Sequence, residues 1–139
     1  MADTVLNIRD LKTCFDTRDG MVTAVDGVSL SLERTKCLGV VGESGSGKSV
    51  TFASVMGLIK QPGFIAEGSI SFEGRELVGL DGAEYRALRV KKIAMTMQDA
   101  LTALNPAYTV WNQLIEVLLT HDDSLTGTTL ARKRQAREK

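Results

Sequence analysis

Short segments in which apolar and polar residues alternate predict β-strands in the first half of the chain. These segments are residues 5–15, 21–25, 28–32 and 69–72. The turn-forming pair Asp19-Gly20 separates the first two, which predicts a hairpin. Residues 37–41 are apolar on both faces, as in a central strand of a parallel sheet, although periodicity alone also allows a buried helix.

Helical spacing of apolar residues appears after these strands. Residues 50–59 and 109–120 are the two longest such segments, and the second has a stripe of Val110, Leu114, Val117 and Leu118. Asp81 and Glu84 have the spacing of a capping box, which predicts a helix from there to about residue 90. Residues 93–97 form another apolar strand candidate. The alternation of strands and helices favours an α/β fold.

Composition narrows the class of protein. The 139 residues suffice for one domain, and 43% hydrophobic with 24% charged residues is typical of a globular protein. Lys+Arg and Asp+Glu balance at 17 each, so no global field attracts nucleic acid, and we expect no nucleic-acid partner. No secretory signal and no apolar run that could cross a bilayer are present. A function at a membrane would require docking on another protein.

A glycine-rich loop is the strongest chemical signal. Its residues match the pattern G-x-x-x-x-G-K-[ST]: Gly42, Glu43, Ser44, Gly45, Ser46, Gly47, Lys48 and Ser49. The glycines let successive backbone N–H groups turn inward as an anion nest, and the following helix adds its N-terminal donors. Lys48 supplies an ammonium for the β- and γ-phosphates, and the Ser49 hydroxyl suits Mg²⁺. A glycine-rich turn without a ligand is the alternative, but the strand before the loop and the helix after it favour phosphate binding.

The surroundings of this loop resemble the nucleotide-binding subunit of ABC transporters. The segment 24–30 is similar to the stretch that precedes the loop strand in that family, and 68–74 is similar to its GxIxFxG segment. The resemblance implies ATP as the ligand, with Phe15 stacking on the adenine. It also places Val25 and Val50 at the nucleotide. By its chemistry alone, Phe15 would be a buried strand residue.

Residues 93–99 look like the Q-loop of the same family. The resemblance implies that Gln98 reaches Mg²⁺ or the attacking water, which makes Lys48 and Gln98 the catalytic residues and Ser49 and Gln98 the metal ligands. The stretch 98–106 is similar to the Q-loop of dipeptide, oligopeptide and nickel importer ATPases, with Ala100 in place of their proline and Ala103 in place of their serine. Loss of that proline restores a backbone donor and frees one φ angle.

The family's fold implies three parts for this chain. Residues 1–36 are then a mainly antiparallel β subdomain, 37–106 the P-loop NTPase core through the Q-loop, and 107–139 the start of a helical subdomain at which the chain is truncated. The signature motif, Walker B strand and switch histidine of the family are absent from the sequence. The only histidine, His121, precedes the place of a switch histidine and is interpreted as solvated. We therefore expect the 139 residues alone to be marginally stable or aggregation-prone and without ATP turnover.

The resemblance also implies the role of the full-length protein. That role is an ABC-type ATPase on the cytoplasmic face of the membrane, peripherally bound to transmembrane permease subunits. It would act with a second ATPase subunit in a head-to-tail dimer, and indirectly with a substrate-binding protein, to import peptides or nickel. A non-catalytic nucleotide-binding module that ends at Lys139 is the rival hypothesis, and the residues encoded after Lys139 would decide. A small P-loop kinase or GTPase is a weaker rival, because no Asn-Lys-x-Asp motif or arginine-rich lid is present.

Overall fold

The computed structural model describes residues 3–89, 91–96, 104–122 and 124–137. The chain forms two compact units, Met1–Arg89 and Val90–Lys139. In the first unit the elements are β1 (Thr4–Thr17), β2 (Gly20–Glu33), α1 (Lys48–Val55), β3 (Gly63–Phe72), β4 (Arg75–Glu76) and α2 (Gly82–Leu88). The strands form one antiparallel sheet in the order β2-β1-β3-β4.

The predicted hairpin is confirmed and is longer than expected. β1 and β2 pair antiparallel around the turn before Gly20. The two strand segments predicted at 21–25 and 28–32 belong to one strand, which is interrupted by an irregularity rather than a loop. Gly27 has φ +67°, and the pairing shifts register between Leu11↔Val28 and Thr13↔Val25. A residue with positive φ inside a strand lets the strand bulge and continue.

The second partner of β1 is β3, with Ile8 opposite Ile70 and Phe15 opposite Gly63. β3 begins at Gly63, earlier than the segment 69–72 that alternation predicts. Its first half pairs with the end of β1, so tertiary pairing rather than local pattern sets this boundary. Ile8, Ile70 and Leu77 are at most 1% exposed and form the centre of the core on the sheet.

The expected central strand at residues 37–41 has no ladder partner in the described part of the chain. No hydrogen bond joins its backbone to another strand there, and Val41 is 94% exposed. A segment becomes a strand of a sheet only through a neighbouring strand, and none of the four strands lies beside this one. The strand predicted at 93–97 is likewise reduced to an isolated bridge at Ile93, while Met97 lies outside the described residues.

The helices of the first unit begin close to where their local signals predict. α1 starts at Lys48 and ends at Val55, four residues before the predicted end, because Gly57 takes φ +59° and leaves the helix. The capping box of α2 is confirmed: the Asp81 carboxylate accepts from the N–H groups of Ala83 and Glu84, and Glu84 returns a bond to the Asp81 N–H.

The second unit contains α3 (Val110–His121) and α4 (Thr129–Arg137). Its core consists of Ile115, Leu125 and Ala136, with Leu118 and Leu119 packed against it. The apolar stripe predicted on α3 therefore does not match the buried face of the helix, because Val110, Leu114 and Val117 are 50% to 56% exposed. His121 is the last residue of α3 rather than part of the loop that follows. Among the residues that the structure describes, no helix is long and apolar enough to cross a membrane.

Candidate nucleotide-binding site

The glycine-rich loop is fixed at its end by a close approach to β2. Gly47 is the N-cap of α1 and has φ +87°. A Cβ at this position would lie 2.5 Å from the backbone oxygen of Ala24, and 3.5 Å from the Cγ2 atom of Val25. Both the conformation and the space therefore require glycine here. The structure thus seats the end of the loop on the backbone of the antiparallel sheet.

The Lys48 ammonium lies against the loop itself. Its Nζ donates to the backbone oxygens of Gly42 and Glu43, each at 2.6 Å, and to Oγ of Ser46 at 3.1 Å. An ammonium has three donors, so these contacts account for all of them. Within the loop, the Ser46 N–H donates to the Glu43 oxygen at 3.3 Å and closes a turn. The lysine, the turn and the N-terminus of the helix therefore lie together.

Buried hydroxyls attach α1 to the sheet. Thr13 on β1 and Ser54 on α1 are fully buried, and their side-chain oxygens are 3.0 Å apart. Ser54 uses its own proton to donate to the Val50 oxygen at 2.9 Å, so Thr13 must be the donor in the pair. Thr51 makes the matching bond one turn earlier, to the Gly47 oxygen at 3.0 Å. The helix that presents the loop is held by directional bonds as well as by packing.

The C-terminal end of α1 is held by Arg89, whose role cannot be read from the sequence. Arginines at the end of a helix are ordinarily exposed, but Arg89 is half-buried and donates to Met56 O (Nε, 2.8 Å) and Gly57 O (Nη2, 2.7 Å). Its guanidinium lies 5.5 Å from the ring centre of Tyr85. No local sequence pattern predicts this contact, because the partners are more than thirty residues apart in the sequence.

Tyr85 completes this contact. Its hydroxyl donates to the Leu77 oxygen at 2.9 Å. Its ring occupies the space beside Gly57, where a Cβ would come within 2.6 Å of the ring. Burial raises the pKa of Tyr85 above its ordinary value, and the nearby Arg89 partly opposes this effect.

Ser49 and Val50 lie in the first turn of α1, directly after Lys48. The Ser49 side chain is exposed and forms no hydrogen bond with the described residues, unlike Thr51 and Ser54 in the same helix. Glu43, Ser44 and Gly45 are exposed as well. The loop therefore presents polar groups to solvent on the side where the helix begins.

Phe15 and Val25 lie on the strands next to the loop. Val25 is 3% exposed, so it supports Gly47 from within the sheet and presents little surface of its own. The Phe15 ring is half-buried, and a Cβ on Gly63 would approach it to 2.5 Å. Stacking of Phe15 on adenine and contact of Val25 with a nucleotide remain predictions.

Gln98, the remaining predicted site residue, lies outside the described residues, together with Ala100 and Ala103. Within the described ranges, no group of three or more His, Cys, Asp or Glu side chains could hold a metal ion.

A protein-family model for the ABC transporter matches residues 25–139. This chain belongs to the ABC transporter family. The match starts within β2 and covers the glycine-rich loop, so the predicted family is confirmed.

Two curated relatives within the ABC family are ATP-binding proteins of peptide transport. The chain is 48% identical over 120 residues to the oligopeptide transport ATP-binding protein OppD of Escherichia coli (strain K12), covering 86% of this chain and 35% of the relative. It is 42% identical over 129 residues to the dipeptide transport ATP-binding protein DppD of Haemophilus influenzae, covering 93% and 38%. The chain thus spans little more than a third of the length of these relatives.

A solved ABC cassette supports the fold. The structure of the ATP-binding cassette MJ0796, described as a dimeric post-hydrolysis state bound to ADP and Pi, matches with a TM-score of 0.70. The match covers 96% of this chain and 54% of that chain at 19% sequence identity. The predicted fold class, an α/β P-loop NTPase with an N-terminal antiparallel β subdomain, is confirmed by this likeness.

Proposed function

We propose that the chain binds ATP through residues 42–49 as part of the ATP-binding subunit of a peptide importer. The observation that supports this most directly is the Lys48 ammonium in contact with Gly42, Glu43 and Ser46, at the first turn of the helix that follows the loop. The relatives named above are oligopeptide and dipeptide transport ATP-binding proteins, which supports peptides as the transported class. The sequence resemblance also allows nickel as the transported substrate, but neither of these two relatives is named for nickel transport.

The chemistry of the loop fits a triphosphate. The glycine positions 45 and 47 both have positive φ, +84° and +87°, which allows backbone N–H groups to face an anion. The N-terminus of α1 adds partial positive charge on the same side. Lys48 then exchanges a contact with its own loop for one with a β- or γ-phosphate oxygen.

The Ser49 hydroxyl would hold Mg²⁺. It fits this role because it is exposed, follows Lys48 directly, and is not used by any described residue. Bound Mg²⁺ would neutralise phosphate charge, and it usually keeps several waters in addition to one or two protein ligands. Gln98 is proposed as a second oxygen ligand or as a contact to the attacking water, and Phe15 as the adenine platform.

For a protein of the length of these relatives, we propose ATP hydrolysis coupled to uptake. Its partners would be transmembrane permease subunits, a second ATPase subunit and, indirectly, a substrate-binding protein, with the ATPase peripheral at the cytoplasmic face of the membrane. The boundaries 1–36, 37–106 and 107–139 are proposed as the corresponding subdomains. The dimeric cassette structures that match this fold support association of two subunits.

The test is equilibrium binding of labelled Mg-ATP by the chain, by its Lys48→Ala variant and by Lys60→Ala. Lys60 is an exposed lysine of the same unit and controls for net charge. We expect Lys48→Ala to weaken binding by at least about tenfold, since a charged hydrogen bond contributes about 1.5–3 kcal/mol, while Lys60→Ala stays within about twofold. Equal affinity in all three proteins would contradict the proposal. Circular dichroism of each variant establishes that the folded forms are being compared.

A further inference from the structure

The helix that follows the glycine-rich loop has little intrinsic stability. α1 is short, Lys48–Val55, and its sequence includes Val50, Thr51 and Phe52, which have modest helix propensity. Its first turn has no acidic residue and its last turn no basic residue, so neither end of the helix dipole is complemented from within. Lys48 even places a positive charge at the positive end. Contacts from elsewhere in the fold must therefore fix the helix.

Arg89 supplies the missing charge at the other end. Its guanidinium donates to the carbonyl groups of the two residues that directly follow α1, the C-cap Met56 at 2.8 Å and Gly57 at 2.7 Å. These carbonyls have no partner inside the helix, and a cation at this end also complements the dipole. Since the two bonds leave from Nε and Nη2 of one planar group, they fix direction as well as distance.

The guanidinium is itself held by Tyr85. The Tyr85 ring lies under Arg89, its hydroxyl donates to Leu77 O, and the ring occupies the space beside Gly57, where a side chain would clash with it. Tyr85 and Arg89 belong to α2 and its C-cap, and α2 is closed at its start by the capping box of Asp81. The position of α1 is thereby tied to a second, locally stabilised helix.

We propose that Arg89 is a positioning residue for the phosphate loop: it fixes α1 from its C-terminal end so that Lys48 and the loop amides keep their geometry. The proposal rests on ATP binding by this loop as proposed above. α1 has eight residues and a rise of about 1.5 Å per residue, so the two ends are roughly 12 Å apart. A helix of this length moves as one body, and a tilt at one end displaces the other.

The experiment uses Arg89→Met, Arg89→Lys and, as matched control, Arg86→Met on the exposed face of α2. Mg-ATP affinity is measured at low temperature, where the folded fraction of each variant is determined by circular dichroism and used to correct the binding constant. The ¹H–¹⁵N signals of Gly42, Gly45 and Gly47 are recorded in parallel. We expect Arg89→Met to weaken binding by about threefold to tenfold and to shift these loop signals.

Arg89→Lys keeps the charge at the helix end but cannot donate to both carbonyls in the same plane, so an intermediate affinity is expected. Arg86→Met is expected to leave both affinity and loop signals unchanged. If Arg89→Met lowers only the folded fraction, with corrected affinity and glycine signals unchanged, Arg89 is structural and the proposal is wrong. If Arg89→Met does not fold, an unchanged affinity in Arg89→Lys also overturns it. Failure of ATP binding itself appears separately, as equal affinity of wild type and Lys48→Ala.

Discussion

Replacement of Gly47 by alanine tests the geometry of the loop most directly. At φ +87°, any L-residue other than glycine is strained by roughly 1–2 kcal/mol. In addition, the new Cβ would lie 2.5 Å from the Ala24 oxygen, a backbone atom of β2 that cannot turn aside. Relief requires the loop to move away from the sheet, and forced overpacking of this kind typically costs about 1–3 kcal/mol.

Gly45→Ala is the matched control, because Gly45 has nearly the same φ, +84°, and no atom within 4 Å of its Cβ position. The backbone strain and the change in unfolded-state entropy are common to both variants. Their difference in free energy of unfolding, measured by urea denaturation, should therefore isolate the steric contact with Ala24, about 1–3 kcal/mol. Since the strain can also be released by displacing the loop, Mg-ATP affinity is measured as well. If Gly47→Ala and Gly45→Ala agree in both stability and affinity, the close approach to β2 is not as described.

Two further predictions concern the groups that hold α1. Burial raises the pKa of Tyr85 above its ordinary 10.0, so the unfolded chain loses this proton at lower pH than the folded chain does. The stability that the neutral phenol contributes is therefore fully present below about pH 10. It is lost as the pH rises through the pKa of the folded state. Urea denaturation between about pH 9 and pH 11 should show a smaller alkaline loss in Tyr85→Phe than in wild type; equal losses would contradict this. Ser54→Ala should destabilise by about 1–3 kcal/mol, since it leaves the buried Thr13 hydroxyl without an acceptor, whereas Thr13→Val leaves Ser54 its bond to the helix and should cost less. The double variant should then cost less than the sum. Strict additivity would contradict the hydrogen bond between the two hydroxyls, and equal costs of the two single variants would contradict its assigned direction.

Features encoded by neighbouring residues were predictable from the sequence. The Asp81–Glu84 capping box depends on a spacing of three residues and formed as expected. The turn before Gly20 likewise closed the first hairpin. The start of α1 directly after the glycine-rich loop belongs to the same class, because the glycines, the lysine and the first helical residues are adjacent in the chain.

Features that depend on distant partners were not predictable in the same way. Nothing in residues 63–68 indicates that they pair with the end of β1, so β3 was predicted too short. Residues 37–41 have the composition of a central strand but lack a ladder neighbour among the described residues, and composition does not report the neighbour. Arg89 is similar: an arginine at a helix exit is ordinarily solvated, and only the folded chain brings it to Met56 and Gly57.

The three bonds of the Lys48 ammonium to its own loop have a consequence for the thermodynamics of ligand binding. A phosphate bound as proposed would compete with Gly42 O, Glu43 O and Ser46 Oγ for the same protons, so its affinity would reflect an exchange of contacts rather than a sum of new ones. The same bonds brace the loop in advance and reduce the entropy lost when a ligand arrives. Lys48 would therefore affect binding in two ways: the exchange of contacts reduces the gain in enthalpy, and the braced loop reduces the loss of entropy. Removing its side chain measures only the net of the two.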